Sequence, residues 1–93
     1  MANYIVSYDL NGSTPTHKEM DAYISANVKW TRGRILETVW YIGTSDSKSV
    51  VFDYFNKILS KNDRLLVVSC SDASWRNLIV NDESFRSEWN ANW

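Results

Sequence analysis

The stretch Asn3-Tyr4-Ile5-Val6-Ser7-Tyr8-Asp9 carries apolar groups in both of its alternating sets of side chains before a carboxylate ends it. Successive side chains of a strand point to opposite faces of its sheet, so this strand asks to be buried on both. In a chain of 93 residues that is a demanding requirement. Helices can cover one face of a small sheet, and a second copy of the chain is the expected cover for the other. The pattern leaves open whether Tyr4, Val6 and Tyr8 or Ile5 and Ser7 face the partner.

Downstream, Asn11-Gly12-Ser13-Thr14-Pro15 is a concentrated turn signal, and Thr16 with Glu19 three residues later forms a capping box that predicts a helix start. Met20, Tyr23, Ile24 and Val28 recur at helical spacing and give that helix one apolar stripe. Residues 30–43 are rich in β-branched and aromatic side chains, are interrupted by Arg32-Gly33, and read as one long strand or a tight pair. Thr44 to Ser47 offers several N-caps for a second helix with Val51, Tyr54, Phe55, Ile58 and Leu59 on its apolar face, ending near 60–62. Arg64 to Cys70 is again apolar in both alternations. Phe85 and Trp89, four residues apart, predict a short helix that docks on the body.

This order of elements most economically gives an α+β, ferredoxin-like βαββαβ sandwich, with an antiparallel sheet and two helices on one face. The whole chain is expected to form one domain, with a core over about 3–70 and a C-terminal extension over about 71–93.

Ten basic and eleven acidic side chains leave a net charge of −1, so the global positive field that drives non-specific nucleic-acid binding is absent. Any contact with nucleic acid has to be local. Five Trp, five Tyr and three Phe exceed what a core this small readily hides, which points to aromatic groups at an interface. Of these, Trp75, Trp89 and Trp93 would either anchor a partner or cover the sheet edge of their own subunit. The single Cys70 has no partner for an intrachain disulfide and is expected to pack as a small apolar group. One His and one Cys exclude a zinc constellation, and neither a Gly-rich phosphate loop nor a nucleophile elbow is present. His17, in a first helical turn, reads as a solvated surface group. No basic leader with an apolar run and no window of membrane-spanning length is present, which makes the cytoplasm the expected location and a membrane an unexpected partner.

Three segments together resemble a known group: Tyr8-Asp9-Leu10 closing the first strand, Leu36-Glu37-Thr38-Val39-Trp40 in the middle, and Asn62-Asp63-Arg64-Leu65-Leu66-Val67-Val68 opening the last strand. Their order and spacing over roughly 3–70 are similar to the small CRISPR adaptation nucleases of the Cas-two type and to their shorter SinR-like relatives. The resemblance implies a ferredoxin-like subunit that dimerises through its sheets. It also implies metal-dependent phosphodiester cleavage, with Asp9 of both subunits near the dimer axis as the catalytic carboxylate.

In such a topology Asp9, Glu37 and Asp63 are expected to share one end of the sheet, where converging carboxylates would hold Mg or Mn. The alternative is structural: Asp9 caps a turn, Glu37 is solvated, and Asp63 pairs with Arg64 or caps a strand. Lys29-Trp30-Thr31-Arg32-Gly33-Arg34 is the concentrated basic stretch, and its tip is expected to point toward the Asp9 end. There Lys29, Arg32 and Arg34 would hold phosphates while Trp30 stacks on a base, or else the cations are a solvated turn and Trp30 is core. Two functions follow. One is a homodimeric metal-dependent nuclease or nucleic-acid-binding protein; the other is a non-catalytic module that binds a protein partner as an adaptor or inhibitor in a defence or toxin system.

Overall fold

A computed structural model describes residues 2–91; Trp93, one of the candidate anchors, lies outside the described residues. The chain is α+β. Its elements run β1 (Ala2–Asp9), α1 (His17–Ser25), β2 (Thr31–Leu36), β3 (Val39–Thr44), α2 (Lys48–Asn56), β4 (Arg64–Cys70) and α3 (Asp82–Ala91). The strands form one four-stranded antiparallel sheet in the order β2-β3-β1-β4. The tight pair over 31–44 is the alternative that forms, but its turn falls at Glu37-Thr38 rather than at Arg32-Gly33. No described helix is long and apolar enough to cross a membrane.

α1 starts where the capping box predicts: the Glu19 amide donates to Thr16 Oγ1 at 3.1 Å, and the Thr16 amide donates to Glu19 Oε1 at 2.8 Å. At α2 the cap is a single bond, the Val50 amide donating to the Ser47 hydroxyl. Both helices are shorter than their apolar periodicity suggested. α1 stops at Ser25, which leaves Val28 beyond its end and 80% exposed, and α2 stops at Asn56.

The first core lies between these helices and one face of the sheet, and it settles which alternation of β1 faces inward. Tyr4, Val6 and Tyr8 pack with Trp40 and Ile42 of β3 against Met20 and Ile24 of α1 and Val51 and Phe55 of α2. Tyr23 and Tyr54 clasp the two helices reciprocally. Each hydroxyl donates to the other residue's backbone carbonyl, at 2.6 and 2.7 Å, and the rings stack at 4.4 Å.

The opposite face overturns an expectation. The chain's own C-terminal segment covers most of it, where the sequence had suggested a twin. Ile35, Tyr41, Phe85 and Trp89 form a second buried cluster, with Ile5, Val39, Cys70, Trp75, Leu78 and Val80 packed around it. α3 can form here because Asn81 accepts the Ser84 amide as an N-cap, and Asp82 and Glu83 place negative charge at the positive end of the helix. The loop reaches back because Asn77 adopts a left-handed φ of 54°, a conformation Asn tolerates better than most residues. Contact is close at Gly33, where a Cβ would lie 3.2 Å from Val80. A polar clamp fixes the docking: buried Asn3 donates to the Trp89 carbonyl at 3.0 Å and accepts the Tyr41 hydroxyl at 2.6 Å.

Candidate functional site

Asp9, Glu37 and Asp63 do share one end of the sheet. Ser7 pairs with Val39, the Tyr8 amide donates to the Thr38 carbonyl, and Asp9 lies opposite Arg64, so the end of β1, the β2–β3 turn and the start of β4 are neighbours. They share the end without converging. Among the described residues no three His, Cys, Asp or Glu side chains form a group able to hold a metal ion.

Asp63 is committed elsewhere. One carboxylate oxygen accepts the Asn11 amide and the other the Ser60 amide, each at 2.7 Å, and Asn11 Nδ2 donates to the Asn62 carbonyl at 3.0 Å. The side chain staples the loop after β1 to the loop before β4. The Asn11 amide, reinforced by that of Ser60, holds its carboxyl below the ordinary value against a smaller opposing effect of desolvation. Each oxygen faces an N–H donor, so the carboxylate is oriented by the two loops it joins. Because the folded carboxyl is the more acidic, the staple stabilises fully above the unfolded value, near 4, and is lost as the pH falls through that value to the folded one. Asp63→Asn is therefore expected to lower the urea midpoint near neutrality, with the gap to wild type closing below about pH 4. An equal gap at both pH values would rule the staple out.

Asp9 keeps one ion pair, with Arg64 at 3.7 Å, and both side chains are well exposed, at 63% and 77%. Such a pair contributes about 0–1 kcal/mol. Glu37 is exposed in the β2–β3 turn.

The basic stretch corrects a second expectation, because its beginning lies at the far end of the sheet. Thr31 in β2 is level with Gly43 and, through β3, with Asn3. At a rise of about 3.4 Å per residue, the run from Asn3 to Asp9 puts roughly 20 Å between them. Trp30 is a core side chain, 3% exposed, with its indole N–H donating to Asp46 at 2.9 Å and its ring 4.9 Å from Tyr54. Arg32 donates to the carbonyls of Trp30 and Ser25, so it caps the C-terminus of α1 where the helix dipole is negative. Arg34 pairs with Asp21 of α1 at 3.7 Å. Both arginines thus tie α1 to the β2 edge. Lys29 is exposed and lines a cleft of about 590 Å³ between the end of α1 and α2, where Lys29 and Lys57 are matched by Asp46 and Asp53. A cleft with balanced charges gives no funnel for a polyanion.

No family model and no curated protein matches this chain. Cys70, half-buried beside the second cluster, has its thiol pushed up by burial, which disfavours a reactive thiolate.

Unspent surface lies along β4. Leu66 and Val68 are 60% and 41% exposed on the α3 side of the sheet, and Phe52 of α2 is 39% exposed on the other side, sharing a shallow cleft with Val67. The sequence did carry a signal for this: Val50 and Phe52 fall off the apolar stripe of α2, and both alternations of β4 are apolar in a strand at the edge of the sheet.

Proposed function

We propose that this chain is a non-catalytic, ferredoxin-like interaction module that acts by assembling with protein, itself as a homodimer, in the manner of an adaptor or inhibitor. One observation carries this. Trp30, Arg32, Arg34 and Asp63, four of the groups that phosphodiester chemistry and phosphate binding would use, are engaged in holding the fold, while the surface left open at the β4 edge is apolar. Apolar groups left in water beside an unpaired strand favour association. Support for the ferredoxin-like assignment comes from the order β1-α1-β2-β3-α2-β4, the sheet order β2-β3-β1-β4, and the packing of α1 and α2 on one face.

The test compares wild type with Asp9→Asn on single- and double-stranded DNA and RNA in magnesium or manganese. Asp9 is exposed and lightly paired, so the variant is expected to fold normally. Neither protein is expected to cleave. Metal-dependent cleavage by wild type that disappears in a folded Asp9→Asn variant would instead establish the nuclease, with Asp9 at its centre.

A further inference from the structure

The two edges of the sheet are treated oppositely by the chain. At β2 the ladder is irregular between Arg34 and Leu36, the Ile35 carbonyl accepts the Ile79 amide at 3.0 Å, and Val80 lies against Gly33. A bulge, flanking arginines and a covering loop are the usual devices that stop an edge from pairing with another chain. Among the described residues β4 has neither a bulge nor a covering loop, and its one charged residue, Arg64, stands at its first position. From Leu65 to Cys70 it contains no Pro, Gly or charge, and it pairs in one regular register with β1.

We infer that β4 is the seam of a homodimer, in which two copies pair their β4 strands antiparallel about a two-fold axis through Val67. This rests on the assembly function proposed above and specifies its partner. Centring on Val67 pairs all seven residues of the strand. Leu66 then lies opposite the partner's Val68 on one face, so the exposed apolar groups of β4 cover each other across the axis. On the helix side Val67 meets its own copy, with Phe52 of each subunit beside it.

Charge favours the same arrangement. Lys61 and Arg64 stand at the head of the strand and Asp72 just past its tail, and although Arg64 also pairs with Asp9 and the Asp63 carboxylate is turned onto the Asn11 and Ser60 amides, antiparallel pairing brings the two cations of each head toward the partner's acidic tail. A parallel alignment would set Arg64 beside Arg64. Since the β2 edge is guarded, pairing stops at two subunits rather than propagating into a fibre. With strands about 4.8 Å apart and a rise of about 3.4 Å per residue, the two Asp9 Cα atoms come to lie roughly 25 Å apart. No metal is shared between them in such a dimer.

Light scattering behind size exclusion should give a dimer for wild type at micromolar concentration. The double variant Leu66→Lys, Val68→Lys should give a monomer with an unchanged far-ultraviolet spectrum, because both positions are already exposed. In a Cys70→Ser background, Val67→Cys should form an intersubunit disulfide on mild oxidation, since the central Cα atoms of an antiparallel pair stand about 4.5–5.5 Å apart, within disulfide range. Leu36→Cys, on the guarded edge, should not. A monomeric wild type overturns the seam. So does a dimer that survives the lysine pair and fails to link through Val67→Cys, although that result leaves assembly itself intact. Metal-dependent cleavage would instead overturn the assembly function, whatever the state of the seam.

Discussion

Trp89→Ala is expected to undock α3 and to cost about 3–5 kcal/mol, the range for deleting a large buried aromatic. Trp89 is 5% exposed, and its ring lies within 6 Å of Tyr41, Trp75 and Phe85, at 5.8, 5.7 and 5.8 Å. α3 has ten residues, and a helix of that length is marginal in water unless packing holds it. Two buried side chains, Phe85 and Trp89, supply that packing. Without Trp89, the edge-on contact of Phe85 with Tyr41 at 5.0 Å is too little to hold the helix, and the Asn3 clamp loses the rigid carbonyl it donates to. Ile5, Val39 and Tyr41 would then become accessible. The expected signature is a lower urea midpoint, increased binding of a hydrophobic dye, and loss of amide protection in α3 before the sheet. An unchanged midpoint would mean that α3 is not the cover of this face.

Trp30→Ala is expected to have an effect of similar size for a different reason. Trp30 fills the space between the helices and the β2–β3 hairpin, with its ring 4.9 Å from Tyr54 and 6.4 Å from Phe55. Removing it leaves a cavity and strips Asp46 of its indole donor, a combined cost of about 3–5 kcal/mol. A domain this small holds about 5–15 kcal/mol in total, so a large share of molecules would unfold on mild heating. Trp30→Phe keeps most of the apolar area and loses the hydrogen bond, with an expected cost of about 1–2 kcal/mol. A base-stacking Trp30 predicts the reverse pattern, with the midpoint retained in Trp30→Ala and nucleic-acid affinity lost. Thermal melts and binding titrations on the same samples separate the two.

These two tryptophans show where local pattern stops being informative. An aromatic beside Lys29, Arg32 and Arg34 has the same local sequence whether it stacks on a base or fills a core. The difference is that α2 lies over Trp30 and Asp46 meets its indole, and both come from far along the chain. The same holds for the arginines, whose partners Ser25 and Asp21 are on α1. Topology brings Asp63 near Asp9, but that its two oxygens meet the amides of Asn11 and Ser60 is decided by how two loops lie together.

What sequence determined by itself was everything set by periodicity and near-neighbour chemistry. The capping box at Thr16 and Glu19, the apolar stripes of α1 and α2, the two-faced character of β1 and β4, and the helix carrying Phe85 and Trp89 all depend on residues within a turn or a strand of one another. Tertiary structure alone decided what covers the second face of the sheet. A doubly apolar strand demands a cover but does not specify its origin, and the docking of residues 75–89 supplies it through contacts with Asn3, Ile35 and Tyr41 that are remote in the chain. That docking closes the β2 side of the sheet and leaves β4 as the open edge, because a single short helix cannot span all four strands.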